Sequence, residues 1–234
     1  MSTRRIACMT GLFACAFLAG CPMGDSPMGL NPSVRQLEQM KQLNQRSKND
    51  DLAALKSMAA EEIRCTSKAD STCAQLYGLQ ASACAQLTNT GDNAARQRAR
   101  TCAVSGYETA LTLVPDPPGE VNPTLLLVGL ADALQAMRDH ADAANAAGYQ
   151  QRFNDTVSRL DARPDGRIYA RYFSAHDEFL QTANAPFLAG ESCAALRHAR
   201  GQLVSDDSAS ANLTDRMRKL ANDIDAYSHA KGCS

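Results

Sequence analysis

The chain has no tryptophan, and only six phenylalanines and six tyrosines in 234 residues. Strands favour aromatic and β-branched side chains, so this shortage, beside abundant Ala, Leu and Gln, argues against a β-sandwich and for helices. An excess of either charge is missing too. The balance is 24 basic against 25 acidic side chains, a net of −1. A chain that grips phosphates concentrates Lys and Arg on one surface, so no nucleic-acid partner is expected.

Long apolar runs are also absent. A membrane-crossing helix needs about 20 predominantly apolar residues. The leading stretch, Ile6 to Ala19, has 14. The strongest later one, Thr124 to Leu130, is interrupted at Asp132 and reads as a buried helix.

Catalytic signatures are equally scarce. There is no G-x-S-x-G elbow, phosphate loop or H-E-x-x-H, and no C-x2-C pair of the kind that begins many zinc sites. Ser228-His229-Ala230-Lys231 fits S-x-x-K, which sets a serine one turn from a lysine, but no K-T-G or S-D-N accompanies it. His176, Asp177 and Glu178 are adjacent, and helix neighbours point in different directions; a solvated face is expected for them. His140 falls in an inter-helix turn, and His198 lies beside Arg197 and Arg200. No enzyme, cofactor or metal is expected.

What is present begins at the N-terminus. "MSTRRIACMTGLFACAFLAGC" joins a basic start, a short apolar run and small residues, the pattern of a secretory signal peptide. Leu18-Ala19-Gly20-Cys21 resembles the lipobox of bacterial lipoprotein precursors. The resemblance covers the first 21 residues and implies cleavage after residue 20, lipidation of Cys21, and a mature chain held to a membrane by its acyl chains. Pro22 stands where enteric inner-membrane lipoproteins carry an acidic retention signal, which implies the outer membrane, facing the periplasm. Loss of Arg4 and Arg5 leaves 22 basic and 25 acidic side chains, a net of −3. Residues 21–32, rich in small and turn-forming side chains, are expected to be a spacer, with a single all-α domain over 33–234.

On this reading Cys8 and Cys15 leave with the signal peptide, Cys21 carries lipid, and six cysteines remain: Cys65, Cys73, Cys84, Cys102, Cys193 and Cys233. An even number in an exported chain points to disulfides, with fifteen possible connectivities. If helices end near Cys65 and begin near Cys73, the turn "TSKADST" brings these two level. Cys84 and Cys102 flank "TNTGDN" unequally, which at 1.5 Å per residue leaves a mismatch of several Å unless the turn is long. Cys193 with Cys233 follows by elimination. The connectivity beyond Cys65–Cys73 stays open.

Helical spacing marks the elements. Ser33 is a candidate cap for a helix carrying Val34, Leu37, Met40 and Leu43, and Asp50 or Asp51 for one carrying Leu52, Leu55, Met58 and Ile63. Further helices are expected over 72–87, 94–114 (stopped by "PDPPGEVNP"), 124–138, 141–160, from the Asp165-Gly166 turn to Asn184, 190–204 and 212–228.

Two segments resemble the tetratricopeptide repeat. In "LADALQAMRDHADAANAAGYQQRF", Leu130, Ala133 and Leu134 lie on the first helix, Asp139 in the turn, and Ala143 and Ala144 at the crossing. In the segment from Leu76 to Asp116, the Gly91-Asp92 turn and Tyr107, Ala110, Leu111 and Pro115 match. The distance from Pro115 to Pro164, 49 residues, exceeds the family's roughly 34. The resemblance implies antiparallel hairpins stacked as a short solenoid, with a concave groove for partner segments; the alternative is a compact helical bundle.

Partner-binding candidates are Arg96 and Arg100, one turn apart with Arg98 between them and able to fork onto a carboxylate or phosphate, and Tyr107 and Tyr149 as aromatic anchors. Tyr77, Tyr169 and Tyr172 are further aromatics of that kind. The expected role is a membrane-anchored, protein-binding scaffold or accessory subunit of an envelope assembly. The alternative is an inhibitor or immunity lipoprotein that blocks a periplasmic enzyme or toxin, with "PDPPGEVNP" as the protruding loop. A hydrolase would require His176 or His198 beside a carboxylate and a nucleophile.

Overall fold

The computed structural model describes residues 32–65, 69–204 and 209–233. The signal segment, Cys21 and the spacer up to residue 31 lie outside the described residues. Residues 32–234 form one compact unit. Its helices are α1 (Pro32–Ser47), α2 (Leu52–Ala59), α3 (Ser71–Gln86), α4 (Asn93–Leu113), α5 (Pro123–Arg138), α6 (Ala143–Asp161), α7 (Arg167–Asn184), α8 (Ala189–Gln202) and α9 (Ala211–Ala230). Among the described residues there is no strand and no helix long and apolar enough to cross a membrane.

Short polar side chains start most of these helices. The carboxylates of Asp51, Asp70, Asp92 and Asp142, the Asn122 amide oxygen and the Ser210 hydroxyl each accept from one or two backbone N–H groups of the first turn. Each satisfies donors that the helix cannot, which stabilises by about 1 kcal/mol. α6 starts at Ala143, two residues later than its periodicity suggested, because Asp142 takes the cap. Ser33 is not a cap: it lies inside α1, which begins at Pro32, and is buried. Proline is well placed at the start of a helix because it has no N–H to leave unpaired.

Every helix packs on its successor, and α1 also meets α3, α3 meets α5, and α7 meets α9. Stacked hairpins and a small bundle share this near-neighbour pattern. Small residues let the crossings close: a methyl at Gly106 in α4 would come within 2.9 Å of the Ala81 Cβ in α3, and one at Gly129 in α5 would overlap the Tyr107 ring.

Two apolar clusters result. The larger spans α3 to α9 and includes Leu134, Phe153, Leu160, Phe173, Leu196 and Ile224. Phe153 and Phe173 meet edge to face, with centroids 6.0 Å apart and planes at 85°, a favoured aromatic geometry. The smaller joins α1, α2 and α3 through Leu37, Met40, Met58, Leu76 and Ala83.

α2 ends at Ala59, short of Ile63 and Cys65, which instead lie in a non-helical strap. Side chains of α1 and α3 satisfy the strap's backbone. Gln36 Nε2 donates to the Glu62 carbonyl at 2.7 Å, the Arg64 N–H donates to Gln36 Oε1 at 3.1 Å, and Gln80 Nε2 donates to the Glu61 carbonyl at 2.7 Å. By giving backbone groups outside any helix their partners, these glutamines stabilise a non-helical path that propensity alone does not indicate.

All three cysteine pairs stand at disulfide distance, with Cα–Cα separations of 5.9 Å for Cys65–Cys73, 5.8 Å for Cys84–Cys102 and 5.4 Å for Cys193–Cys233. The first is delivered by the strap, not by two level helix ends. The second works because the 87–92 turn lets α4 begin beyond the end of α3. The third depends on the tail: Gly232, at φ 71°, turns left-handed, and the Cys233 N–H donates to the Ser228 carbonyl at 2.9 Å. This helix-ending geometry suits glycine and carries Cys233 back to α8.

Candidate partner-binding surface

The four expected partner-binding residues do not form one patch. Arg100 is only 6% exposed, and its Nε lies buried without a hydrogen-bond partner. It shares a face of α4 with Val104 and Tyr107, both buried, so Arg100 does not stand beside Arg96 on an exposed surface. Arg96 is half-buried and donates to Asn93 in the preceding turn.

Tyr107 is buried against Gly129. Burial, with the Asp132 charge adding to it, pushes its phenol up to about 12. It is a crossing residue and not a surface anchor. Tyr149 is half-buried at the edge of the large core, with the Arg152 guanidinium 5.7 Å from its ring centroid. Arg152 also pairs with Glu108 at 2.5 Å, tying α6 to α4. Of the four, Arg96 and Tyr149 keep some contact with solvent.

What the fold does assemble is a polar layer across α5, α7 and α9. Arg216 donates to both Asp132 carboxylate oxygens, at 3.0 and 2.6 Å, while its guanidinium lies 4.5 Å from the Tyr172 ring centroid. Bidentate pairing and aromatic stacking both exploit the planar shape of arginine. Tyr172 stacks on His176 at 5.9 Å, and His176 Nδ1 lies 3.2 Å from Gln135 Oε1. Burial first, and the Arg216 charge second, hold the His176 imidazole below its ordinary value of 6.5. Gln135 Nε2 has no partner.

The adjacent Asp177 is buried, contrary to the solvated face expected for it. It accepts from Arg138 of α5, Gln150 of α6 at 3.0 Å and Gln181 of α7 at 2.8 Å. A buried carboxylate has to be paired and hydrogen-bonded in this way. Nothing in the local run His-Asp-Glu signals these partners, two of which come from other helices and one from the next turn of α7; the sequence clue is the helical spacing of Asp177 with Phe173.

Glu178 faces elsewhere and meets His198 of α8 at 2.7 Å. The two histidines therefore belong to separate clusters. His140, in the turn after α5, has Nδ1 3.0 Å from the Ala136 carbonyl. Among the described residues, no group of three or more His, Cys, Asp or Glu is placed to hold a metal ion.

Two surface features remain. The 115–122 loop exposes Asp116, Pro117, Gly119, Glu120 and Asn122 and buries Val121 as its anchor. At the opposite end of α4, a cleft of about 350 Å³ opens where α2, α3 and α4 meet beside the Cys84–Cys102 pair. No family model, curated protein or solved structure matches this chain.

Proposed function

We propose that the protein is a lipid-anchored component of the bacterial envelope, facing the periplasm from the outer membrane, which acts by binding protein as a scaffold or accessory subunit of an envelope assembly. The observation that carries the location is the Leu18-Ala19-Gly20-Cys21 sequence together with six downstream cysteines standing in three pairs at disulfide distance, since such pairing suits an oxidising compartment. Helices stacked in chain order support the binding role, because such arrays present long composite surfaces. Arg96 and Tyr149 are the candidates retained for contact with a partner.

Replacing Cys21 with Ala and fractionating cells tests the anchor: the variant is expected to stay unprocessed or leave the membrane fraction. Processing and membrane retention equal to the parent's would overturn the lipoprotein reading. Affinity capture of the parent from crosslinked envelopes tests the role, with recovery of a recurring multiprotein assembly expected.

A second reading, an inhibitor or immunity lipoprotein, draws on the exposed and anchored 115–122 loop. It predicts capture of a single enzyme whose activity is lost on binding and regained when Glu120 and Asn122 are replaced by alanine.

A further inference from the structure

The cleft at the junction of α2, α3 and α4 has apolar walls of small side chains: Ala59 from the end of α2, Leu87 after α3, and Ala95 and Ala99 from the first turns of α4. Its floor is the Cys84–Cys102 pair. At about 350 Å³ it falls within the range of small-molecule sites, roughly 300–1,000 Å³. The disulfide fixes the two helices that shape it, so it is preformed and binding loses little to ordering.

Its charge is one-sided. Lys56 and Arg98 line it and no Asp or Glu does. Both cations are exposed, and neither has an ion-pair or hydrogen-bond partner among the described residues. Some arginines elsewhere on the surface are engaged, Arg46 with Asp51, Arg152 with Glu108 and Arg200 with Asp225, so what sets Lys56 and Arg98 apart is that both border one apolar cleft. Thr90, half-buried, adds a hydroxyl to the lining.

The geometry points to a binding site for a single-chain amphiphile with an anionic head, a medium- or long-chain carboxylate. The tail lies among the alanines and over the disulfide, and the carboxylate meets Lys56 and Arg98. The apolar walls favour the alkyl chain through water release, and the two cations select the sign of the head. This inference does not depend on the envelope role proposed above.

The test is isothermal titration of decanoate, below its micelle concentration, into the full chain carrying Cys21→Ser with disulfides intact. Decyltrimethylammonium is the control of equal tail and opposite head. One-to-one saturable binding of decanoate is expected, at least tenfold tighter than the control. Lys56→Glu with Arg98→Glu should weaken it at least tenfold, and Ala95→Trp, which fills the cleft, should abolish it. Both exposed charge changes leave the core untouched, so they carry the test if Ala95→Trp unfolds the chain. Absence of saturable decanoate binding overturns the proposal, as does equal affinity for both amphiphiles or indifference to the charge reversal. So does a leucine-terminated peptide that occupies the cleft without competition from decanoate.

Discussion

The α1–α2 corner and the α5–α7–α9 centre of the same domain solve one packing problem in opposite ways. The centre has bulk: Phe153 and Phe173 lie wholly buried among leucines, and its polar groups pair with one another over that apolar base. The corner's apolar cluster has five buried members, two of them supplied by α3, and no aromatic ring. It is held by stitching, with Gln36 and Gln80 binding the strap's backbone and Cys65 bonding to α3. Where apolar area is small, backbone partners and a covalent link take over from burial.

The contrast can be broken first at the centre. Phe173→Ala, removing a ring with no exposure, is expected to cost about 3–5 kcal/mol, lowering the midpoint of chemical denaturation for the whole domain. Met40→Ala should instead raise hydrogen exchange in α1 and α2 while α5 to α9 keep their protection. Uniform loss of protection in both variants would show that corner and centre unfold as one unit.

The disulfides come next. Cys193 and Cys233 are 40 residues apart and Cys65 and Cys73 only eight. Chain entropy therefore assigns about 4 kcal/mol to the first link and about 2.5 to the second. Paired serine substitutions, compared by thermal melts, should follow that order.

Gln36→Ala leaves the Arg64 N–H and the Glu62 carbonyl without their side-chain partner. An expected loss of about 1–3 kcal/mol should show as faster exchange of α1 and α2 amides, with the centre unchanged.

The smallest effect is electrostatic. His176 takes up its proton at lower pH in the folded chain than the ordinary 6.5, so the unfolded chain binds protons first as pH falls. Stability should then be flat above about 6.5, decline below it, and level off beneath the folded value. Because Arg216 is the second cause of that shift, Arg216→Ala should raise the His176 midpoint in an NMR titration and narrow the window of decline. An unmoved midpoint would remove Arg216 as a cause.

The fold was largely legible. Periodicity and helix-breaking turns located the helices to within a few residues, since both are local physics, and of the two cap positions read from the sequence Asp51 holds while Ser33 does not. The strap was not legible, because its hydrogen bonds come from Gln36 and Gln80, 28 and 19 residues away from the groups they bind. The candidate surface was the least legible part. Arg96, Arg98 and Arg100 look like one basic run, but 100° of turn per residue sends Arg100 inward beside Val104 and Tyr107. That spacing was there to be read, and charge was the stronger and misleading signal.

By itself the sequence determined the helical class, the starts of most helices and the nearness of Cys65 to Cys73, because propensity, periodicity and chain connectivity act over a few residues. Tertiary structure alone decided that Arg100, Tyr107 and Asp177 are interior, that Lys56 and Arg98 share a cleft, and that Gly232 returns Cys233 to α8. Burial and pairing depend on which helices come together, and that is settled only when the whole core closes.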